Sequence, residues 1–216
     1  MSAPAVSRGT VVEVLHPLVQ HKLSYLRELT TPTVHFRRIA NELTLLLTYE
    51  ATKDFPTEDV EIETPLERTT VQRISGKKVA VCPILRAGLG MLDGVLSLVS
   101  GARVGFIGLY RNEETLEPVE YYVKLPSDIA ERDVIILDPM LATGNSIAAA
   151  VSTVKRAGAA TVRLIALIAA PEGIERLHGE HPDVDIVVAG IDRGLNERGY
   201  IMPGLGDAGD RLYGTK

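Results

Sequence analysis

The sequence predicts an α/β protein built on a mainly parallel, twisted sheet flanked by helices. From Val79 onward, apolar runs bounded by turn signals alternate with stretches of helical period, the pattern of repeated βαβ units. The runs are continuous rather than alternating, as in Val134-Ile-Ile-Leu137, which marks strands covered on both faces. A hydrophobic content of 45% over 216 residues is enough to fill a substantial core, and no interdomain linker, internal repeat or low-complexity tract interrupts it. One domain spanning 1–216 is expected.

In chain order, Pro17 to Leu29 and Pro32 to Lys53 read as two helices, each with a proline near its first turn. The second is amphipathic at first and more uniformly apolar later, so it should pack on the sheet or on another subunit. Val60 to Ile62 and Thr69 to Arg73, with Thr64-Pro65 between them, suggest a small hairpin. The core is expected over 77–192. Its strands are expected near Val79–Leu85, Ala102–Leu109, Asp133–Asp138, Val162–Ala169 and Val184–Ile191, with helices over Leu89–Val99, Ser146–Ala157 and Pro171–His178. Gly158 stands where a helix C-terminus commonly has glycine. Two insertions break the alternation. Tyr110 to Leu125 reads as a projecting hairpin arm, and 193–212 is too rich in glycine for a helix and too irregular for a strand. A long structured loop inside a domain is usually functional.

Composition excludes several classes. With 23 Lys+Arg against 28 Asp+Glu, the net charge of -5 gives no global attraction for nucleic acid, so any phosphate site must be local. No apolar stretch approaches the roughly 18 residues of a membrane span, and Met1 to Thr10 lacks a signal-peptide pattern; a cytoplasmic protein is expected. The histidines at 16, 21, 35, 178 and 181 and the one cysteine show no zinc-ligand spacing. Cys82, inside Val79-Ala-Val-Cys-Pro-Ile-Leu85, reads as a buried small hydrophobe.

Four segments carry chemistry. In Val134-Ile-Ile-Leu-Asp-Pro-Met-Leu-Ala-Thr-Gly-Asn-Ser146 a buried strand runs into a tight loop in which Thr143, Gly144, Asn145 and Ser146 open a helix. Free N–H groups and short hydroxyls then converge on the positive helix end, which suits a phosphate; the plainer alternative is a helix cap by Thr143 or Asn145. Asp138, at the C-terminal end of a parallel strand, is placed to engage sugar hydroxyls beside that phosphate. The loop lacks the Gly-Lys-Ser/Thr triplet of a Walker loop, and Gly88-Leu-Gly90 with its next glycine at 94 misses the dinucleotide spacing. In Pro83-Ile-Leu-Arg-Ala-Gly-Leu-Gly-Met-Leu-Asp93, Arg86 offers a fixed cation at another strand end, and Gly88 and Gly90 would let backbone approach a pyrophosphate; a structural glycine turn is the alternative. The arm carries Arg111 directly after a strand, with Glu113, Glu114 and Glu117 read as solvated. Finally, Gly199-Tyr-Ile-Met-Pro-Gly-Leu-Gly-Asp-Ala-Gly-Asp210 exposes backbone able to read the donors and acceptors of a planar base, unless it is a glycine-rich tail.

These segments, in this order, resemble the type I phosphoribosyltransferases, and Asp138-Pro-Met-Leu-Ala-Thr-Gly144 resembles the phosphoribosyl-diphosphate loop of the uracil phosphoribosyltransferases. The resemblance runs from about His16 to Lys216. It implies the type I phosphoribosyltransferase fold and the conversion of uracil and 5-phospho-α-D-ribose 1-diphosphate to UMP and diphosphate. It also implies a phosphoribosyl-diphosphate site of Arg86, Arg111, Asp138, Pro139, Met140, Leu141, Ala142, Thr143, Gly144, Asn145, Ser146 and Asp207. The base would meet Tyr200, Ile201, Gly206, Asp207 and Ala208, with Asp138, Arg86 and Asp207 closest to the chemistry. Mg2+ would arrive with the diphosphate rather than being held by protein alone. A homodimer or larger assembly is implied, with GTP activation as an option. A transferase for another base, or a nucleotide-sensing regulator of the same fold, are the alternatives. Asn145 departs from the resemblance, standing where many members have a second glycine; asparagine tolerates left-handed angles and caps helices, so the loop should survive.

Overall fold

The continuous apolar runs become strands buried on both faces, and the periodic stretches between them become the helices that cover those faces. The structure is a computed structural model describing residues 8–76, 79–111 and 118–215, except for the side chain of Arg111. Its elements are β1 (Val11–Glu13), α1 (Pro17–Arg27), α2 (Thr33–Ala51), β2 (Thr57–Glu63), β3 (Arg68–Ile74), β4 (Val79–Leu85), α3 (Leu92–Leu98), β5 (Arg103–Val104), β6 (Phe106–Arg111), β7 (Pro118–Lys124), β8 (Asp133–Leu137), β9 (Met140–Leu141), α4 (Asn145–Arg156), β10 (Thr161–Ala169), α5 (Pro171–Glu180), β11 (Asp185–Ile191), β12 (Gly194–Leu195), β13 (Ile201–Met202) and α6 (Ala208–Tyr213).

Among the described residues the central sheet has nine strands, ordered β1-β11-β10-β8-β4-β6-β7, with β5 beside β4 and β9 beside β10. Every pairing in it is parallel except that of β6 with β7. From β4 the chain crosses to β6 on one side, then returns to β8 on the other, so the carboxyl ends of β4 and β8 meet at a topological switch point. Pro83 lies opposite Leu137 there. A crevice opens outside the strand ends at such a point, which is where open α/β sheets bind ligands.

Alternate residues of each strand feed two cores. Val79, Val81, Ile135, Leu137, Ile165 and Leu167 face α1, α2, α3 and α6, while Ala80, Cys82, Val134, Ile136, Leu164 and Ala166 face α4 and α5. Helix α2 buries Phe36, Ala40, Leu43 and Leu47 at helical spacing, each large side chain contributing roughly 1.5–3 kcal/mol. Its Thr44 and Thr48 are also buried, and their hydroxyls donate to the carbonyls of Ala40 and Thr44 one turn back, at 2.8 and 2.7 Å. Burial pushes the Cys82 thiol up to about 12, so it stays protonated, as suits a small hydrophobe.

Several boundaries differ from expectation for local reasons. The strand expected over Ala102–Leu109 is broken at Gly105, where a side chain would meet Cys82 Sγ at 3.0 Å and the main chain bends to bond Val81. The helix expected over Leu89–Val99 begins as a tighter 3-10 turn over Ala87–Met91 and becomes α only at Leu92. Strand β1 was not expected; it pairs with β11 through the register Val11 to Ile186. The segment after Ile191 does contain regular structure, the short β12–β13 pair and helix α6, despite its glycines. Among the described residues no helix is long and apolar enough to cross a membrane.

Candidate active site

Two cavities meet at the switch point. The larger, about 530 Å3, is lined by residues from the β4 end (Leu85, Arg86, Ala87), the β6–β7 arm (Leu109, Tyr110, Tyr121), the β8 loop (Asp138, Met140, Ala142) and the segment 198–200 and 206–209. The smaller, about 180 Å3, lies against Thr143, Gly144, Ser146 and Ile147 and shares Asp138, Met140, Ala142 and Gly199 with the larger.

The small cavity follows from how β8 ends. Beyond Leu137 the chain is stitched to β10: the Pro139 carbonyl accepts from Leu167 and Ile168 N–H groups at 3.1 and 3.2 Å, and the Leu141 carbonyl accepts from Ala170 N–H at 2.9 Å. Pro139 and Leu141 are buried and act through backbone, whereas Met140, Ala142, Thr143, Gly144 and Ser146 line the cavity. Gly144 has φ 82° and is the residue that enters α4; no side chain caps that helix. The alternative reading, a cap by Thr143 or Asn145, is therefore not formed, and the first-turn N–H groups keep their capacity for an anion. Asn145 is already helical, so the left-handed angle it was expected to tolerate falls on Gly144, whose Cβ would sit 2.8 Å from the Gly173 carbonyl. Asn145 itself is not part of either cavity lining.

Asp138 is half-buried at the junction of the cavities. Its Oδ1 accepts from the Met140 N–H at 2.9 Å. Burial lifts its carboxyl from 3.8 to about 7, with that hydrogen bond pulling the other way. A carboxylate so poorly solvated gains from any donor that reaches it, sugar hydroxyls among them.

Across from it, β4 ends in a cis Leu85–Arg86 peptide, and the exposed Arg86 side chain lines the larger cavity. For Gly88 and Gly90 the structural alternative has a packing reason. A Cβ on Gly88 would stand 2.3 Å from the Leu137 carbonyl, and one on Gly90 would stand 2.8 Å from Leu212 side-chain carbons. They allow close packing of protein on protein, and neither lines a cavity.

The third wall is held by side chains from far away in the chain. Asp192, 8% exposed, accepts from both terminal nitrogens of Arg27 at 2.8 and 2.7 Å and from Gly204 N–H at 2.9 Å, while Arg27 also donates to the Gly204 carbonyl at 3.0 Å. Arg211 donates to the carbonyls of Leu26, Leu205 (2.8 Å) and Glu28 (2.6 Å) and lies 4.3 Å over the Phe36 ring. Asn196 Oδ1 accepts from the N–H groups of Arg198 and Tyr200, both at 3.0 Å. Tyr200, Gly206, Asp207 and Ala208 line the larger cavity as expected for a base-binding segment, but the Ile201 side chain is 3% exposed and packs in the core. Asp207 caps α6 by accepting from Asp210 N–H at 2.9 Å through Oδ1. The hydroxyl of Tyr213, in the same helix, donates to the Arg86 carbonyl at 2.9 Å, joining the base-side wall to the β4 loop.

The sequence reading missed Tyr121, Arg198 and the Arg27–Asp192 pair. Tyr121 had a signal, since it occupies one face of an alternating strand; the ion pair had none, its partners lying 165 positions apart. Arg111 ends β6, and its side chain, like Asn112 to Glu117, lies outside the described residues. Among the described residues no three or more His, Cys, Asp and Glu side chains converge as a metal site; Asp138 and Asp207 are the carboxylates facing the larger cavity.

This geometry can be set beside known proteins. The family model described as uracil phosphoribosyltransferase matches residues 13–215. A uracil phosphoribosyltransferase from Clostridium botulinum is 61% identical over 206 residues, covering 95% of this chain and 99% of its own. One from Streptococcus pyogenes is 58% identical over 208 residues, covering 96% and 100%. The solved structure of the AQ2163 protein from Aquifex aeolicus superposes with a TM-score of 0.91 at 42% identity, covering 96% of this chain and 99% of that one. The crevice, with an uncapped helix on one side and a backbone-rich segment on the other, lies in a chain whose nearly full length matches one family, and the chain belongs to the uracil phosphoribosyltransferases.

Proposed function

We propose that this chain transfers the phosphoribosyl group of 5-phospho-α-D-ribose 1-diphosphate to uracil, giving UMP and diphosphate, a salvage reaction of pyrimidine metabolism. The observation that carries the reading is the continuity of the two cavities through Asp138: a small pocket at the start of α4 opens onto a larger chamber whose far wall is the backbone-rich 199–209 segment.

In the reaction, uracil N1 bonds to the anomeric carbon as the carbon–oxygen bond to diphosphate breaks, and the N1 proton leaves. The ribose gains oxocarbenium character and the leaving group gains charge, so alignment and electrostatics matter more than a nucleophile. Thr143, Gly144 and Ser146 would grip the 5-phosphate with the first-turn amides of α4. Asp138 would orient the ribose hydroxyls, and Arg86 and Arg111 would face the diphosphate. Uracil would be read by backbone N–H and C=O groups of the 200–208 segment, and that hydrogen-bonding pattern would favour uracil over a purine. Mg2+ bound to the diphosphate would supply Lewis-acid neutralisation of the leaving charge. Asp207, which lines the same cavity and caps α6 through Oδ1, would stand near that cation and the sugar diphosphate. The same reading includes a homodimer or larger assembly, to be checked by the mass in solution, and GTP as an effector, to be assayed as a change in UMP formation.

The test is incubation of the purified protein with labelled uracil, phosphoribosyl diphosphate and Mg2+. UMP should form, with cytosine and purines poor substrates, and comparable turnover of hypoxanthine would overturn the assignment.

A further inference from the structure

The small cavity poses an electrostatic problem. Its described lining holds no Lys, Arg or His, yet it includes Asp138, so a phosphate dianion seated there would face a carboxylate with only amides and hydroxyls to offset it. Neutral donors hold a phosphate, but a dianion beside an acidic side chain is held better by a nearby cation. Arg176 passes close to the loop, its Cβ and Cγ lying 3.0 and 3.1 Å from the position of a Cβ on Gly144. Its guanidinium is bound instead to Glu180 at 2.6 Å. Arg86 stands at the other strand end, in the larger cavity alone.

Arg198 is placed differently. Like Arg86 it lines the larger cavity, but its chain neighbour Gly199 lines both cavities, which neither neighbour of Arg86 does. The turn that carries it is fixed internally: Asn196 Oδ1 takes the N–H groups of Arg198 and Tyr200, the Asn196 carbonyl takes Gly199 N–H at 2.9 Å, and Asn196 N–H donates to the Tyr200 carbonyl at 2.9 Å. Arg27, Arg132, Arg163 and Arg211 are each bound to carboxylates or carbonyls. The Arg198 guanidinium has no such partner among the described residues. We propose that Arg198 is a binding residue for the 5-phosphate, closing the small pocket with the cation it lacks. This rests on the phosphoribosyl-diphosphate reading of the site.

The experiment compares the full-length wild type with Arg198→Ala and Arg198→Lys. Arg198→Ala should raise the KM for phosphoribosyl diphosphate about tenfold and weaken inhibition by UMP by a similar factor, the loss of one charge-assisted contact. The KM for uracil and inhibition by inorganic diphosphate should change less than about twofold, since neither molecule carries the 5-phosphate. Arg198→Lys should recover most of the loss. Binding of ribose 5-phosphate, measured by calorimetry, should weaken in parallel; this readout needs no turnover and so stands even if uracil proves not to be the acceptor. An unchanged KM for phosphoribosyl diphosphate, unchanged ribose 5-phosphate binding, or a loss that falls on diphosphate inhibition instead would each overturn the assignment.

Discussion

The loop proposed to hold the phosphate and the segment proposed to hold the base face each other across one cavity, yet they are built by different means. The phosphate loop, 138–146, is the direct continuation of β8 into α4, tied by backbone hydrogen bonds to β10 and turned by one left-handed glycine. The base-side segment, 192–214, has only short elements and is held by Arg27 and Arg37 reaching into it and by its own Arg211 reaching out to the Leu26 and Glu28 carbonyls, with Asp192 as the buried anchor. The contrast teaches that side chains in the first region are free for ligand, whereas many in the second are committed to shape. Substitutions should therefore separate into effects on chemistry and effects on architecture.

The largest effect should come from Asp192→Ala, which leaves Arg27 and the Gly204 N–H without their acceptor. Removing one member of a buried pair costs about 3 kcal/mol, the lower end of the usual range because Arg27 is partly exposed. Chemical denaturation should show that loss, and the KM for uracil should rise. Full stability would mean that the segment is held by its own turns, and the contrast would collapse.

The arm is the next place to look. Arg111→Ala should lose a charge-assisted contact to diphosphate worth roughly 1.5–3 kcal/mol, whereas Glu113→Ala, a residue the sequence reads as solvated, should cost little. The two variants should differ at least about tenfold in kcat/KM, and phosphoribosyl diphosphate should protect 110–125 from hydrogen exchange. Equal kinetics with unchanged protection would make the arm a passive hairpin.

Asp138→Asn tests the chemical side. It should lower turnover at least about tenfold, roughly 1.4 kcal/mol, in a protein that remains folded. With its carboxyl raised to about 7, the wild-type residue is ionised above that pH, so kcat/KM should fall as pH drops through about 7 and the variant should lack this limb. The stability effect has the opposite sense. The folded state holds this proton more tightly than the unfolded chain, so the contribution is fully present below an unfolded pKa of about 4 and is lost as pH rises through about 7. Asp138→Asn should flatten that slope. A wild-type pH profile in the variant would remove Asp138 from the chemistry.

The smallest effect is expected from Asn145→Gly. Asn145 is an ordinary helical residue with no capping bond, so the change should cost only about 0.5 kcal/mol and leave the KM for phosphoribosyl diphosphate within about twofold. A larger change would show that Asn145 reaches the phosphate.

Legibility of the sequence followed the same division. Strand β4 begins and ends at the residues expected, and α4 differs by one at each end, because a continuous apolar run and a helical period are local signals. The 3-10 turn after Arg86 and the break at Gly105 were not legible, since both answer to neighbours packed from elsewhere, Leu137 and Cys82 among them. Gly88 and Gly90 looked like ligand-approach glycines for the same reason: composition shows that space is needed, and only packing shows what occupies it.

The sequence alone determined the α/β class, the two strand ends that bear Arg86 and Asp138, and the turn that presents helix α4 to an anion, since each depends on residues adjacent in the chain. It also marked 199–210 as backbone meant to be exposed. Tertiary structure decided that β4 and β8 are neighbours, which brings those two ends to one crevice. It sent the Ile201 side chain into the core, turned Asp207 into a helix cap, and set Arg198 against the larger cavity. These outcomes rest on the pairing of Arg27 with Asp192 and of Tyr213 with Arg86, across separations of 165 and 127 residues. No local period or spacing encodes such contacts; they form because a charge or hydroxyl drawn out of water by folding must find its partner wherever the fold has placed one.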